Sequence, residues 1–193
     1  DVLTIGILAA AFFATNGIEA LRVGLNRAYR VIDTRSIFWL RAQSLAFVLI
    51  ATLGFVIVSG LLVVAPIAVD IAQKHLPGIR PYLGTITIWR FAIASLVIVL
   101  ALTAVHLWLP AGKRRFREIV PGLIFTLVFW VVGSSLFATY LSYFSTYAST
   151  YAGLASIMIA LVFLYIVSAI FILGGELNAA IKRYLDARAK VVQ

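Results

Sequence analysis

A stripe of polar side chains runs along the end of the first apolar segment. It consists of Asn16, Glu19, Asn26 and Arg30, with Val23 among them. Spacings of three and four residues place these side chains on one face of a helix. A carboxylate and two amides on one face could line a water-filled vestibule or a pocket for a lipid headgroup. The alternative is an ion pair of Glu19 with Arg22 at the end of the helix, where polar groups cost little.

A second polar cluster, GGELNAAIKRY, follows the last apolar segment. A helix that begins near Leu154 and rises about 1.5 Å per residue has crossed the membrane when it reaches Glu176. Glu176 then lies at the same boundary as Glu19, where two carboxylates could handle a proton or a cation. The alternative pairs Glu176 with an arginine of a neighbouring helix, while Gly174 and Gly175 let backbones approach closely. The candidate pathway on the cytoplasmic side is Asn16, Glu19, Asn26, Glu176 and Asn178.

Hydroxyl groups gather in the uncharged connector TYLSYFSTYASTY, residues 139–151. Its tyrosines share one face if the segment is helical, because they are spaced by three and four residues. They could mark the outer headgroup level, since the ring is apolar and the hydroxyl is hydrated. Alternatively, they line the outer side of a pathway, where rings stack on sugars or cations. A tight turn near residues 145–149 would instead split them into two facing pairs. These outer-side candidates are Tyr140, Tyr143, Tyr147 and Tyr151.

Long apolar helices must position these residues. Mean hydropathy is +1.07 and 12% of the residues are charged, which lies far outside the soluble range. The absence of cysteine excludes disulfides and thiolate metal sites. Crossing about 30 Å of hydrocarbon takes about 20 apolar residues in a helix. We therefore predict an all-α, polytopic transmembrane helical bundle, a single domain over residues 1–193, with five spans at about 2–21, 43–69, 89–109, 119–140 and 152–176.

The basic residues predict the orientation of the chain. Most of the 16 Lys and Arg residues lie between spans one and two, between spans three and four, or after span five. The positive-inside rule places these connectors in the cytoplasm, with residue 1 outside and the C-terminus inside. An odd number of spans predicts one further helix ahead of Asp1, which gives six in the full protein. The net charge of +9 then reflects topology and contact with anionic headgroups. The headgroup-contacting candidates are Lys113, Arg114, Arg115 and Arg117.

Small residues form two seams on the first helix. One repeats every four residues through Gly6, Ala10 and Ala14, and the other through Ala20, Gly24 and Ala28. Such seams allow close helix contact within a membrane. They serve either the bundle of one chain or a homo-oligomer.

Two stretches resemble the YihY/virulence factor BrkB family. They are TNGIEALRVGLNRAYR at residues 15–30 and YASTYAGLASIMIALVFLYIVSAIFILGGELNAAIKR at residues 147–183. The resemblance covers roughly Ala9 to Asp186, and KRRFREIVPG and GGELNA stand in family order. It implies a bacterial inner-membrane protein of six helices with no settled activity, for which transport or envelope maintenance has been suggested. The chain departs from the family where members often carry Asn and it has Ala148.

The family was once labelled ribonuclease BN, and the residues do not favour that chemistry. RNA hydrolysis needs clustered metal ligands or a close acid and base pair. The two histidines, His75 and His106, are predicted on opposite faces of the membrane, and the 7 acids are scattered. RNA-binding motifs are absent. We therefore expect no enzyme activity, no metal, no cofactor and no nucleic-acid partner.

The leading hypothesis is an inner-membrane transporter or export factor for an envelope component, either a lipid or a small polar solute. The alternative is a non-transporting scaffold for envelope maintenance, organised through its small-residue seams and basic faces. The expected partners are membrane lipids, with homo-oligomers through the seams as a second option.

Overall fold

The computed structural model describes residues 2–143 and 152–191, which are almost entirely helical. The elements are α1 (Val2–Tyr29), α2 (Ile37–Ser59), a π-helical turn (Gly60–Val64), α3 (Ala65–His75), a 3₁₀ segment (Pro77–Tyr82), α4 (Leu83–Trp108), α5 (Phe116–Tyr143) and α6 (Ala152–Val191). No β-strand occurs in these two stretches. The all-α prediction is therefore confirmed.

Five helical stretches in the described part of the chain are long and apolar enough to cross a membrane. They are Val2–Tyr29, Ile37–His75, Gly78–Trp108, Phe116–Tyr143 and Ala155–Lys190. Each overlaps one of the five predicted spans, which confirms that number for this chain. Most of the helices run past the predicted boundaries, because the helical backbone continues into amphipathic ends that hydropathy alone does not count.

The chain forms two compact units. The first comprises Asp1–Glu19 with Arg35–Val105, and the second comprises Ala20–Thr34 with His106–Gln193. The prediction of a single domain over residues 1–193 stays a prediction.

In the first unit, the longest apolar stretch changes its helical register near its middle. The Ala65 N–H donates to the Gly60 carbonyl across a π-helical turn, directly ahead of Pro66. Proline lacks an N–H, and its ring clashes with the carbonyl four residues earlier in a regular helix. The extra residue in the π turn accommodates that proline without ending the helix. Ahead of this turn, on α2, a Cβ at Gly54 would make ordinary contact with Val97 of α4, at 3.7 Å.

In the second unit, α6 packs against α5 and against the last turns of α1. Leu25 and Ile119 are fully buried, and Phe171 is nearly so. The Trp130 indole N–H of α5 donates to the Val167 carbonyl of α6 over 3.0 Å. A Cβ at Gly175 would approach Leu25 Cδ2 to 2.7 Å, so α6 lies close to α1 at that point.

The end of α1 is a Schellman motif formed without glycine. The Arg30 N–H donates to the Arg27 carbonyl and the Val31 N–H to the Asn26 carbonyl, each over 3.0 Å. These are the two hydrogen bonds that define the motif. Arg30 occupies the left-handed position with φ of 54°, where glycine is usual. The motif turns the chain away and holds Asn26 in the last turns of the helix.

We expect Arg30→Gly to be more stable than Arg30→Ala by about 1 kcal/mol, because only glycine adopts positive φ without a Cβ clash. Arg30 is exposed, and both variants remove its charge, so the two differ mainly in backbone preference. Thermal unfolding in one detergent, followed by circular dichroism, compares them. Equal melting temperatures would contradict a left-handed residue at position 30.

Candidate functional site

In the first unit, the polar stripe of α1 is held by an arginine of the next helix. Arg41 lies in the second turn of α2, and its Nε is 3.2 Å from Glu19 Oε1. Its Nη1 donates to Asn16 Oδ1 over 2.8 Å, and its guanidinium carbon is 5.8 Å from the centroid of the Phe12 ring. The planar guanidinium fork thus binds two stripe residues at once. We call Asn16, Glu19 and Arg41 the arginine cluster.

The arginine cluster is accessible. The side chain of Arg41 is 45% exposed and that of Glu19 is 25% exposed. An ion pair with that exposure contributes only about 0–1 kcal/mol in water. A polar group arriving from outside the unit can therefore exchange with either partner at low cost. Sequence reasoning missed Arg41, because spacing along α1 identifies neighbours on the same helix and carries no information about the helix that packs beside it.

Asn26, the next stripe residue with an amide, belongs to the second unit and is buried. Its Oδ1 accepts from the Ala111 N–H over 2.7 Å, and its Nδ2 donates to Asp33 Oδ2 over 3.1 Å. The amide therefore fastens the end of α1 to the connector between α4 and α5. A buried backbone N–H in that connector needs such a partner, because leaving it unpaired costs about 1–3 kcal/mol.

Asn178 forms the corresponding contact from α6. It is 2% exposed, and its Oδ1 accepts from the Gly122 N–H of α5 over 2.6 Å. Its Nδ2 donates to the Tyr29 hydroxyl over 3.2 Å. One amide therefore joins three helices, and it does so beside Pro121, whose ring disturbs regular helical hydrogen bonding.

A cation–π contact extends this network to the connector between α4 and α5. The Arg114 guanidinium carbon lies 3.8 Å from the centroid of the Tyr29 ring, and Arg114 Nη2 donates to the Ala111 carbonyl over 2.8 Å. Ala111 also donates its N–H to Asn26, so the contacts form a continuous chain. We call this chain the asparagine network; its members are Asn26, Tyr29, Ala111, Arg114, Gly122 and Asn178.

Two glycines let α5 and α6 cross at the asparagine network. A Cβ on Gly122 would overlap the Gly174 carbonyl oxygen and the Asn178 amide, and a Cβ on Gly174 would overlap Thr126 Oγ1. Thr126 Oγ1 itself donates to the Gly122 carbonyl over 2.8 Å. Gly122 and Thr126 are four residues apart on α5, the spacing at which small residues let membrane helices touch. That spacing is the sequence signal that could have identified the crossing.

The two small-residue seams of α1 differ in their surroundings. A Cβ at Gly24 would approach Ile172 Cδ1 to 2.8 Å, and Ala28 lies close to Gly175, so Gly24 and Ala28 of the second seam pack against α6 within the second unit, whereas Ala20 is exposed. At Gly6, nothing in the described part of the chain lies within 4 Å of an added Cβ. A role of the first seam in homo-oligomers stays a prediction.

The remaining candidates lie on surfaces or outside the described residues. Glu176 is exposed in the second unit, and Tyr140 and Tyr143 are exposed near the end of α5. Tyr147 and Tyr151 are not among the described residues. Of the basic candidates, Lys113, Arg115 and Arg117 are exposed, whereas Arg114 is half-buried on Tyr29. The structure therefore brings together Asn16 with Glu19 in one unit, and Asn26 with Asn178 through the asparagine network in the other.

The histidines are placed separately. His75 ends α3 and is exposed. His106 is fully buried, and its ring centroid is 4.4 Å from that of Phe171. Within residues 2–143 and 152–191, no group of three or more His, Cys, Asp or Glu side chains could hold a metal ion.

A family model and two relatives each match more than nine-tenths of the chain. The family model described as Virulence factor BrkB matches residues 1–192. The ribonuclease-like protein YfkH of Bacillus subtilis (strain 168) is 30% identical over 183 residues, which cover 94% of this chain and 66% of that protein. The UPF0761 membrane protein PSHAa0171 of Pseudoalteromonas translucida (strain TAC 125) is 27% identical over 187 residues, which cover 92% of this chain and 56% of that protein. The chain thus spans about two thirds or less of the length of these relatives. No solved structure matches it.

We expect Gly122→Ala to destabilise the protein by about 1–3 kcal/mol, because the added methyl group overlaps backbone at the crossing of α5 and α6. Gly17→Ala is the matched control, since a Cβ there meets nothing within 4 Å among the described residues. Alanine also favours the helix by up to about 1 kcal/mol, so the control should be unchanged or slightly more stable. Thermal unfolding in detergent measures both. Similar melting temperatures for the two variants would contradict the close crossing.

We expect Asn178→Leu to cost about 1–3 kcal/mol, because it leaves the buried Gly122 N–H without its side-chain acceptor. Tyr29→Phe removes only the longer hydrogen bond and should cost about 0.5–1.5 kcal/mol. In the Asn178→Leu background the Tyr29→Phe change should cost less, since that bond is already lost. The free energies of unfolding are measured for the unaltered protein, the two single variants and the double variant, which together form a double-mutant cycle. Strict additivity would show that Asn178 and Tyr29 do not interact.

Proposed function

The chain belongs to the virulence factor BrkB family and is a multi-pass membrane protein, which agrees with the resemblance seen in its residues, and on that premise we propose that it acts in transport. In this proposal it is an inner-membrane transporter or export factor for an envelope component, either a lipid or a small polar solute. The accessible arginine cluster of Asn16, Glu19 and Arg41 is the observation that supports it.

Charged side chains on membrane helices are costly and are usually kept for a function. The surrounding faces of α1 and α2 are strongly apolar and largely exposed. On those faces Glu19 and Arg41 remain partly accessible. The anionic group of a substrate can bind Arg41 in place of Asn16, while Glu19 accepts hydrogen bonds from hydroxyl or ammonium groups of the same substrate. The arginine cluster is thus suited to receive a polar headgroup or solute.

The position of the arginine cluster along α1 supports a role at the mouth of a pathway. Glu19 follows Val2 by about 26 Å of helix at 1.5 Å per residue, close to the full thickness of the hydrocarbon core. With residue 1 outside and the C-terminus in the cytoplasm, as the basic residues predict, this mouth opens to the cytoplasm. Glu176 is a further exposed carboxylate, on α6, and Tyr140 and Tyr143 are exposed near the end of α5; they remain separate candidates for a substrate contact.

The asparagine network supplies fixed geometry within the second unit. Asn26 and Asn178 are buried and hold backbone groups, so in the proposed pathway they act as positioning residues and do not contact substrate. Transporters commonly combine elements that move with elements that stay rigid. Buried hydrogen bonds in a glycine crossing are the kind of contact that keeps an element rigid.

We expect Glu19→Gln and Arg41→Gln to lower transport by about threefold to fivefold, the effect of losing one partly exposed charge-assisted contact. The full protein is reconstituted in vesicles, and two probes are followed: transbilayer movement of a fluorescent phospholipid, and uptake of small sugars by light scattering. Asp70→Asn is the matched control, because it neutralises an exposed carboxylate on α3.

Unchanged flux in Glu19→Gln would remove the arginine cluster from the pathway. Absence of flux of both probes through the unaltered protein would count against transport itself, provided that known transporters give measurable flux at the same protein density. Equal loss in Asp70→Asn would indicate a general effect of surface charge.

A scaffold for envelope maintenance is the second candidate, and the asparagine network favours it. A unit closed by buried hydrogen bonds and a glycine crossing presents a stable surface to other proteins. If the protein is a scaffold, a gene copy carrying Glu19→Gln should restore growth to a strain that lacks the gene, whereas a copy carrying Gly122→Ala should not. If the protein is a transporter, neither variant should restore growth.

Neither candidate includes RNA cleavage. The name of the Bacillus relative refers to a ribonuclease-like protein. In this chain, His106 is buried beside Phe171. His75 is exposed on α3, outside any metal-binding group of the described residues.

A further inference from the structure

A groove lies between the start of α5 and the far part of α6, apart from both polar clusters already described. Its volume is about 220 Å³, and four of its side chains are charged: Arg117, Glu118, Lys182 and Asp186. Pro121, Ile181 and Leu185 supply an apolar wall. All of these residues belong to the second unit.

Two of the four charges are already paired. Lys182 Nζ is 3.0 Å from Glu118 Oε2, and the same oxygen accepts from the Arg115 N–H over 3.3 Å. The second contact is half of a capping box, in which a glutamate in the first turn accepts from the N–H that precedes the helix. Glu118 is therefore held both by the helix start and by Lys182.

The other two charges remain open. Arg117 and Asp186 are exposed, and neither has a hydrogen-bond or ion-pair partner among the described residues. The groove thus offers one uncompensated cation and one uncompensated anion, with no net charge. A ligand that carries one positive and one negative group complements it better than an anion does.

The order of the side chains along α6 matches that of a phospholipid. Ile181 comes first, Lys182 follows, and Asp186 lies one turn farther from the membrane. Lys182 lies about 9 Å beyond the predicted end of span five at 1.5 Å per residue, near the headgroup layer that flanks the hydrocarbon core. A phospholipid likewise presents its acyl chains, then its phosphate, and then its terminal group.

We propose that this groove binds the headgroup of a zwitterionic phospholipid with a primary ammonium, that is, a phosphoethanolamine headgroup. Arg117 and Lys182 receive the phosphate, because guanidinium and ammonium groups form charge-assisted hydrogen bonds with phosphate oxygens. Asp186 receives the ammonium. Glycerol and the first acyl carbons lie against Ile181 and Pro121.

The carboxylate of Asp186 determines selectivity between headgroups. A primary ammonium has three N–H donors, as in lysine, and a carboxylate accepts them. A quaternary ammonium, as in phosphocholine, has no N–H to donate. An anionic headgroup with no ammonium leaves Asp186 facing negative charge. This inference does not rest on transport, because a resident lipid at this groove is compatible with either proposed function.

The test uses the full protein in detergent, exchanged with phosphatidylethanolamine, phosphatidylcholine and phosphatidylglycerol at equal mole fractions, with bound lipids counted by native mass spectrometry. We expect about threefold to fivefold more ethanolamine than choline lipid, the effect of one exposed charge-assisted contact. Asp186→Asn should remove that preference, and Asp186→Glu should keep it. Arg117→Gln should reduce binding of both zwitterionic lipids. The control is Arg188→Gln, which removes an exposed charge beyond the groove.

Several results would overturn the proposal. They are equal retention of the three lipids by the unaltered protein, preference for phosphatidylglycerol, and a preference for ethanolamine that survives Asp186→Asn. Inorganic phosphate, added up to millimolar concentration, should not displace the lipid; displacement would identify the groove as a site for free phosphate. Because Arg117 and Asp186 are exposed, their variants should keep the melting temperature of the unaltered protein, which separates lost binding from lost folding.

Discussion

A backbone N–H that is buried away from water needs an acceptor, because leaving it unpaired costs about 1–3 kcal/mol, and the buried Gly122 N–H next to Pro121 is subject to this constraint. It is met by Asn178, whose Oδ1 lies 2.6 Å away on α6. That contact requires the two helices to touch, which in turn requires glycine at 122 and 174. Tyr29 and Arg114 then complete the arrangement around the same amide.

The two units differ in the kinds of interaction described for them. Buried hydrogen bonds and close glycine contacts hold the second, and replacing any one of them exposes an unpaired polar group or an overlap. The arginine cluster of the first unit is a partly exposed ion pair, which is weak in water and open to exchange. Charge is therefore reachable at Arg41 and along the groove beside Lys182, whereas the amides of Asn26 and Asn178 are buried.

Polar residues of one stripe have different roles, and the spacing that identified them could not separate those roles. Asn16 and Glu19 meet Arg41 from another helix, whereas Asn26 holds the Ala111 N–H of a connector. A helical face is defined by local geometry. Which neighbour covers each part of that face depends on residues far away in the sequence. The same limit applies to Asn178, which sequence reasoning grouped with Glu176 although one is buried and the other is exposed.

The sequence by itself determined the helical class, the five spans and the family, because hydropathy over about 20 residues and ordered motifs are properties of contiguous segments. It also indicated which polar residues deserved scrutiny. Only the tertiary structure decided their partners: Arg41 for Glu19, Ala111 for Asn26 and Gly122 for Asn178. It also paired Lys182 with Glu118, two residues that no sequence pattern had indicated. The last three pairs join residues 56 or more positions apart. Their distances follow from how helices cross, which no local pattern encodes.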